Sequence, residues 1–219
     1  MEQQLEEGII EVVPEIPTGE AIHYIPHQPV IRDQAESTKM RIVYDYSAKA
    51  NSQVLSLNDC LKLDPLCSLR SLTFSYEIGW SCCVLPGDIQ KAFLQIKKDP
   101  KDRDALRLLW YENLDTRTVT EYRYTREIFG SGTSPYILGA TLQKQVSQYA
   151  EMFPSTTDEL LNNTYMDDVQ SDGDHSNQLM KFKEEATKII QDNGYLKWHY
   201  VPTSENPSVQ GTRGAEPKK

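Results

Sequence analysis

The sequence predicts a mixed fold of helices and antiparallel strands, and three observations carry that expectation. Residues 107–111 and 118–125 alternate β-forming side chains on either side of the polar turn 112–117, the pattern of a hairpin. Residues 135–152 and 175–192 instead place apolar side chains at helical spacing. These are Leu138, Leu142, Val146 and Tyr149 in the first, and Leu179, Phe182, Ala186, Ile189 and Ile190 in the second. Hydrophobic residues make up 38% of the 219 positions, enough to bury a core in one domain or two small ones.

Along the chain, residues 1–13 read as a short helix with Leu5, Ile9 and Val12 or Val13 on one face. Its acidic first turn suits the positive end of the helix dipole, and Pro14 and Pro17 end it. Residues 22–31 are extended and broken by Pro26 and Pro29, which forbid the helix that would bring His23 and His27 together as metal ligands. Residues 39–46 form a strand with Met40, Ile42 and Tyr44 on one side and Arg41, Val43 and Asp45 on the other. Arg41 is either a surface charge or, with Lys39 and Lys49, part of a polyphosphate site. Ser56-Leu57-Asn58-Asp59 opens a short helix or turn, and a longer helix is expected over residues 65–77. Residues 82–89 bring an apolar run to Asp88. That residue is either the N-cap of a following helix or an acidic group at the strand end where α/β proteins place chemistry.

The loop of residues 129–133 holds two glycines but no P-loop pattern, and Ser134-Pro135 follows as N-cap and N1 of the next helix. Gly194 stops the 175–192 helix, residues 195–198 form a last short strand, and the tail 201–219 has a disordered composition.

Net charge is −9, which argues against a generic nucleic-acid binder. Six glutamates and no Lys or Arg fall in the first twenty residues, so the remainder carries −3. No apolar run approaches a membrane span, and no signal peptide is read. Cys60, Cys67, Cys82 and Cys83 lack zinc-site spacing, and a reduced, intracellular, cytoplasmic setting is expected.

The stretch Thr164-Tyr165-Met166-Asp167-Asp168-Val169 sets two adjacent carboxylates between short apolar residues. Neighbouring side chains on a strand point apart, but at a tight turn both reach one place. Held together they repel unless a cation intervenes, and such hard oxygen ligands suit Mg²⁺. The plainer alternative is a solvated acidic hairpin tip.

Five motifs then stand in order. PHQPVIR with STKMRIVYDYSAKA is followed by SLNDCL; then come GDIQKAFLQI, DRDALRLLWY with YRYTREIFGSGTSPYILGATL, TYMDDV, and NGYLKW. Together they resemble the reverse transcriptase domain of BEL/Pao-type LTR retrotransposons, from Met1 to about Trp198. The resemblance implies an α+β fold: a polymerase palm, an antiparallel sheet backed by two helices, with part of the fingers. Residues 1–80 would be partial fingers, 81–200 the palm and 201–219 the tail. It implies RNA-directed DNA polymerase activity, a two-metal nucleotidyl transfer from a dNTP to a primer 3′-hydroxyl. Asp88, Asp167 and Asp168 would hold two Mg²⁺ ions, with Mn²⁺ as a substitute and the Ile89 carbonyl as a further ligand. Arg41 and Lys39 would bind the β- and γ-phosphates. Phe93 would be the steric gate favouring deoxynucleotides, Phe129 and Gly130 would lie near the sugar and template, and Lys197 would assist leaving-group protonation.

The implied partners are an RNA or DNA template with its primer, dNTPs, and absent polyprotein domains: thumb, RNase H, protease and integrase. The chain is expected to be an incomplete fragment, with little activity alone. The alternative is a catalytically silent remnant acting as a nucleic-acid or protein-binding module. An RNA-templated RNA polymerase is a weaker third reading, against which Phe93 argues. The chain departs from the family at Pro86-Gly87, where a proline costs a central strand one ladder hydrogen bond.

Overall fold

The computed structural model describes residues 1–31, 40–62, 83–113, 115–173, 175–191 and 196–198. The expected helix at 65–77, Lys39, Gly194 and the tail lie outside them. In chain order the elements are α1 (Glu2–Glu6), β1 (Ile10–Val12), β2 (His27–Ile31), β3 (Met40–Tyr44), α2 (Leu57–Cys60), β4 (Cys83–Ile89) and α3 (Ala92–Gln95). After them come β5 (Arg107–Asn113), β6 (Thr118–Tyr124), α4 (Ser134–Ser147), α5 (Pro154–Asn162), β7 (Thr164–Tyr165), β8 (Asp168–Gly173), α6 (Ser176–Gln191) and β9 (Leu196–Trp198). Residues 1–63 and 93–134 make one unit, and residues 64–92 and 135–219 make a second. This is the α+β arrangement: helices with sheets whose described strand pairs are all antiparallel.

In the first unit a three-stranded sheet runs in the order β1-β6-β5, and β2 pairs with β3. The opening helix is shorter than its sequence predicts. Gly8 at φ +63° ends it in the left-handed region, and the β-branched run beyond goes into β1. Ile10 stands opposite Tyr124, and both are buried with Leu108, Tyr122 and Ile128 in the core. Alternation sends Glu11 and Arg123 to the other face, where they pair at 2.7 Å. Glu11 also meets Arg103 at 3.3 Å, so part of the acidic start of the chain is neutralised internally.

That polar face is closed by Asp104, fully buried in the 3₁₀ turn Pro100–Leu106. Its carboxylate accepts from Arg107 (2.7 and 3.0 Å), from Arg123 (3.0 Å) and from the backbone N–H groups of Thr18 (2.7 Å) and Gly19 (3.0 Å). Gly19 leaves no room for a side chain, because a Cβ there would lie 2.0 Å from the Lys101 carbonyl oxygen.

In the second unit the sheet order is β7-β8-β4-β9. The Ile89 N–H donates toward β8, at the Asp167 carbonyl, and donor direction alternates along a strand. Pro86, three residues earlier, therefore turns its missing donor to the opposite flank, where β9 pairs only with Gly87 to Ile89. The proline is thus tolerated in β4 while its partner across β8, Gln170, stays in register.

Helix α6 matches expectation: Leu179, Phe182, Ala186, Ile189 and Ile190 are all buried. Helix α4 ends at Ser147 rather than near Met152, in i→i+3 turns through Gln148 and Tyr149. A helix the sequence reading did not anticipate, α5, then starts with Pro154 at its first turn and buries Thr156, Thr157 and Leu160. Helices α5 and α6 pack on β8 and on each other. The Gln145 amide donates to the Ile189 carbonyl at 2.8 Å, tying α4 to α6.

Candidate functional site

Strands β7 and β8 form a hairpin whose two connecting residues are Met166 and Asp167. Met166 sits at φ +55°, a left-handed conformation that a non-glycine residue adopts at a cost of about 1–3 kcal/mol. The turn is held from outside by the 2.7 Å bond from the Ile89 N–H to the Asp167 carbonyl. Asp168 opens β8 and lies directly opposite Asp88 on β4. Opposed residues of an antiparallel ladder share a face, so Asp88 and Asp168 stand side by side with Asp167 at the adjacent turn. Lys197 on β9 is the register partner of Asp88 on its other side. One rung thus reads Asp168, Asp88, Lys197. Asp88 lies inside β4 and does not cap α3, which starts at Ala92. The N-cap alternative for Asp88 is corrected accordingly.

Partial desolvation, at a residue that keeps much of its surface in solvent, pushes the Asp168 carboxyl above the ordinary carboxylate range, and the charges of Asp167 and then Asp88 push it further. The folded chain therefore holds this proton more tightly than the unfolded chain. As pH rises from the ordinary range through the raised folded value, ionisation of Asp168 subtracts stability. Replacing Asp168 by Asn is expected to stabilise the metal-free chain at pH 7 by at most about 1 kcal/mol, since the group is exposed and screened. That is a rise of about 2–4 °C in the melting midpoint, shrinking below pH 4. A lowered midpoint at pH 7 would show that the charge is compensated.

The donor set suits a hard divalent cation: carboxylate oxygens on one face, mutually repelling in the cation's absence. Among the described residues, however, no three His, Cys, Asp or Glu side chains are gathered closely enough to hold an ion. His27 stacks on Trp110, with ring centroids 5.9 Å apart.

The remaining predicted site residues lie in the first unit. Arg41 is exposed on β3. Lys49 is paired with Asp59 at 2.6 Å. Phe93 is buried and meets Phe129 at a ring-centroid distance of 4.6 Å and 59° between planes. Gly130 has φ +105°, and a Cβ there would lie 2.8 Å from the Tyr44 carbonyl oxygen and 3.0 Å from the Tyr46 ring. The Asp104 cluster escaped the sequence reading, since only the i,i+3 spacing of Asp104 and Arg107 hints at it.

The arrangement of helices and antiparallel sheets is similar to the reverse transcriptase polymerase fold. The chain is similar to the crystal structure of prototype foamy virus protease–reverse transcriptase, both as its selenomethionine-labelled CSH mutant (TM-score 0.64) and in native form (TM-score 0.62). Identity is 17% in each case, over 89% of this chain and 22% of that one. The chain thus spans about a fifth of the length of those solved proteins. No family model matches the sequence, and no curated protein matches it.

Proposed function

We propose that this chain is the polymerase core of a BEL/Pao-type reverse transcriptase, with residues 1–80 belonging to the fingers and 81–200 to the palm. Its activity would be RNA-directed DNA synthesis, a nucleotidyl transfer from a dNTP to a primer 3′-hydroxyl. The observation that supports this most is the pairing of Asp88 with Asp168 across one rung, beside Asp167 at the turn, in a reverse-transcriptase-like fold.

Asp88, Asp167, Asp168 and the Ile89 carbonyl are the groups that would hold Mg²⁺ or Mn²⁺. The chemistry supplied by bound divalent ions is activation of the 3′-hydroxyl and neutralisation of charge on the phosphates. The chain's own residues position the reactants: Arg41, and Lys39 with it, bind the β- and γ-phosphates. Phe93 excludes a 2′-hydroxyl, Phe129 and Gly130 face the sugar and template, and Lys197 donates a proton to the departing pyrophosphate. Template, primer and dNTPs are the partners this reading requires, with thumb, RNase H, protease and integrase domains completing a polyprotein.

A second reading, a silent remnant that binds nucleic acid or protein, is favoured by the lack, among the described residues, of three His, Cys, Asp or Glu side chains gathered closely enough to hold an ion. The two are separated by primer extension on an RNA template, with the chain extended through a thumb. Incorporation of dNTPs that requires Mg²⁺ and discriminates against ribonucleotides is expected. Absence of any incorporation would leave the remnant reading in place, and equal use of ribonucleotides would remove Phe93 from the gate.

A further inference from the structure

We propose that Asn58 is a positioning residue for the deoxynucleotide, acting through the loop of residues 129–133; this rests on the polymerase reading above. Asn58 lies in α2, whose start is fixed by a capping box: the Ser56 hydroxyl accepts from the Asp59 N–H, and the Asp59 carboxylate accepts from the Ser56 N–H. The Asn58 N–H donates to the Tyr46 carbonyl at 2.9 Å, which sets the helix against the end of β3.

The side chain of Asn58 then reaches the glycine loop with both of its functional groups. Its amide donates to the Gly130 carbonyl at 3.3 Å and to the Ser47 hydroxyl at 3.0 Å. Its carbonyl accepts from the Gly132 N–H at 3.0 Å. One residue therefore holds both sides of Ser131, in a loop whose backbone at Gly130 is left-handed and pressed on Tyr44 and Tyr46.

The far end of the loop is anchored independently. The Ser134 hydroxyl donates to Glu127 at 2.6 Å and to the Ile128 carbonyl at 3.0 Å, and Glu127 is ion-paired with Lys98. Phe129, between the two anchors, is pinned by its ring contact with Phe93. With Asn58 removed, the described bonds left to residues 130–133 are those between Ser131 and Thr133 and the one from the Ser134 N–H to the Ser131 carbonyl, beside the packing of Gly130 on Tyr44 and Tyr46. The wall offered to the nucleoside then loosens, while Arg41 on β3 is untouched. Asn58 thus serves the nucleoside half of the ligand and not its phosphates.

The test uses the 219-residue chain extended through a thumb, with Mg²⁺ and a chain-terminated oligo(dT) primer on poly(rA). Titrated ligands are dTTP and, separately, inorganic tripolyphosphate. Asn58→Ala loses two side-chain bonds to the loop and is expected to weaken dTTP binding about tenfold. Tripolyphosphate binding should stay within about twofold, because its ligand is Arg41. Asn58→Asp keeps the acceptor for the Gly132 N–H and loses the donor to Gly130, so a weakening of about threefold is expected. Hydrogen exchange should speed up at the Gly132 amide in Asn58→Ala and stay unchanged at β6 amides, which also shows that the variant folds.

Unchanged dTTP affinity in both variants overturns the proposal. Equal weakening of dTTP and tripolyphosphate overturns it too, by assigning Asn58 a purely structural role. A wild-type chain that binds no dTTP overturns the polymerase reading and this inference with it, a different outcome from wild-type binding that Asn58 does not influence.

Discussion

Replacing Asp104 by Asn is expected to destabilise the first unit by about 3–5 kcal/mol, the usual cost of removing one partner from a buried ionic cluster. Asp104 is fully buried, and Arg107 and Arg123 beside it are nearly so, at 6% and 5% exposure. The substitution leaves both guanidinium groups in place. Glu11 stays as a partner for Arg123, but among the described carboxylates Arg107 is left with the half-exposed Glu121 at 3.7 Å, beside the Tyr24 hydroxyl at 3.3 Å. It also turns an amide NH₂ toward a site filled with donors, either the arginines or the N–H groups of Thr18 and Gly19.

The same cluster sets a pH dependence. Burial alone would raise the Asp104 pKa, but hydrogen bonds from Arg107, Gly19, Thr18 and Arg123 outweigh it and hold the carboxyl well below the usual carboxylate range. A depressed folded value means that the contribution is complete above the unfolded value of about 3.9 and is lost as pH falls through the folded one. The wild type and Asp104→Asn should therefore differ most above pH 5, and their denaturation midpoints should draw together below pH 4. A difference under about 1 kcal/mol at pH 7 would mean that the cluster behaves as a screened surface pair.

Replacing Asp167 by Asn is expected to lower Mg²⁺-dependent incorporation by about 10²–10³-fold in the thumb-extended chain, the scale of one lost carboxylate in a metal-assisted transfer. The fold should survive it. The contact that holds the turn against β4 is the Asp167 main-chain carbonyl, which the substitution keeps. Relief of repulsion on Asp168 also favours the folded state slightly. Lost incorporation with an undiminished melting midpoint is therefore the expected pair of readings, measured by steady-state kinetics and calorimetry. Retained incorporation would remove the acidic hairpin from the chemistry.

Much of the second unit was legible because its signals are local. The apolar stripe of α6 repeats at helical spacing within sixteen residues, and every predicted member is buried. The tight turn at Asp167 follows from two adjacent carboxylates set between short apolar residues, and it forms there. The errors are of two kinds. In the first turns of the chain an amphipathic pattern was read through Gly8, whose left-handed backbone ends the helix and lets the following β-branched residues pair with β6. After Ser147 the helical periodicity continues into residues that fold as i→i+3 turns, and Pro154 starts α5 afresh.

By itself the sequence determined the element types wherever periodicity was long, the strand that ends near Asp88, and the turn that carries Asp167 and Asp168. Only the tertiary structure decided that Asp88 faces Asp168 across one rung, that Lys197 flanks it, and that Pro86 turns its missing donor away from β8. It alone joined Asp104 to Arg123 and Thr18, and Asn58 to Gly130. The physical reason is one of range. Backbone propensity acts over a few neighbouring residues, whereas register and buried charge pairing are chosen by contacts between segments from 19 to 112 residues apart, and no local pattern encodes which of these will meet.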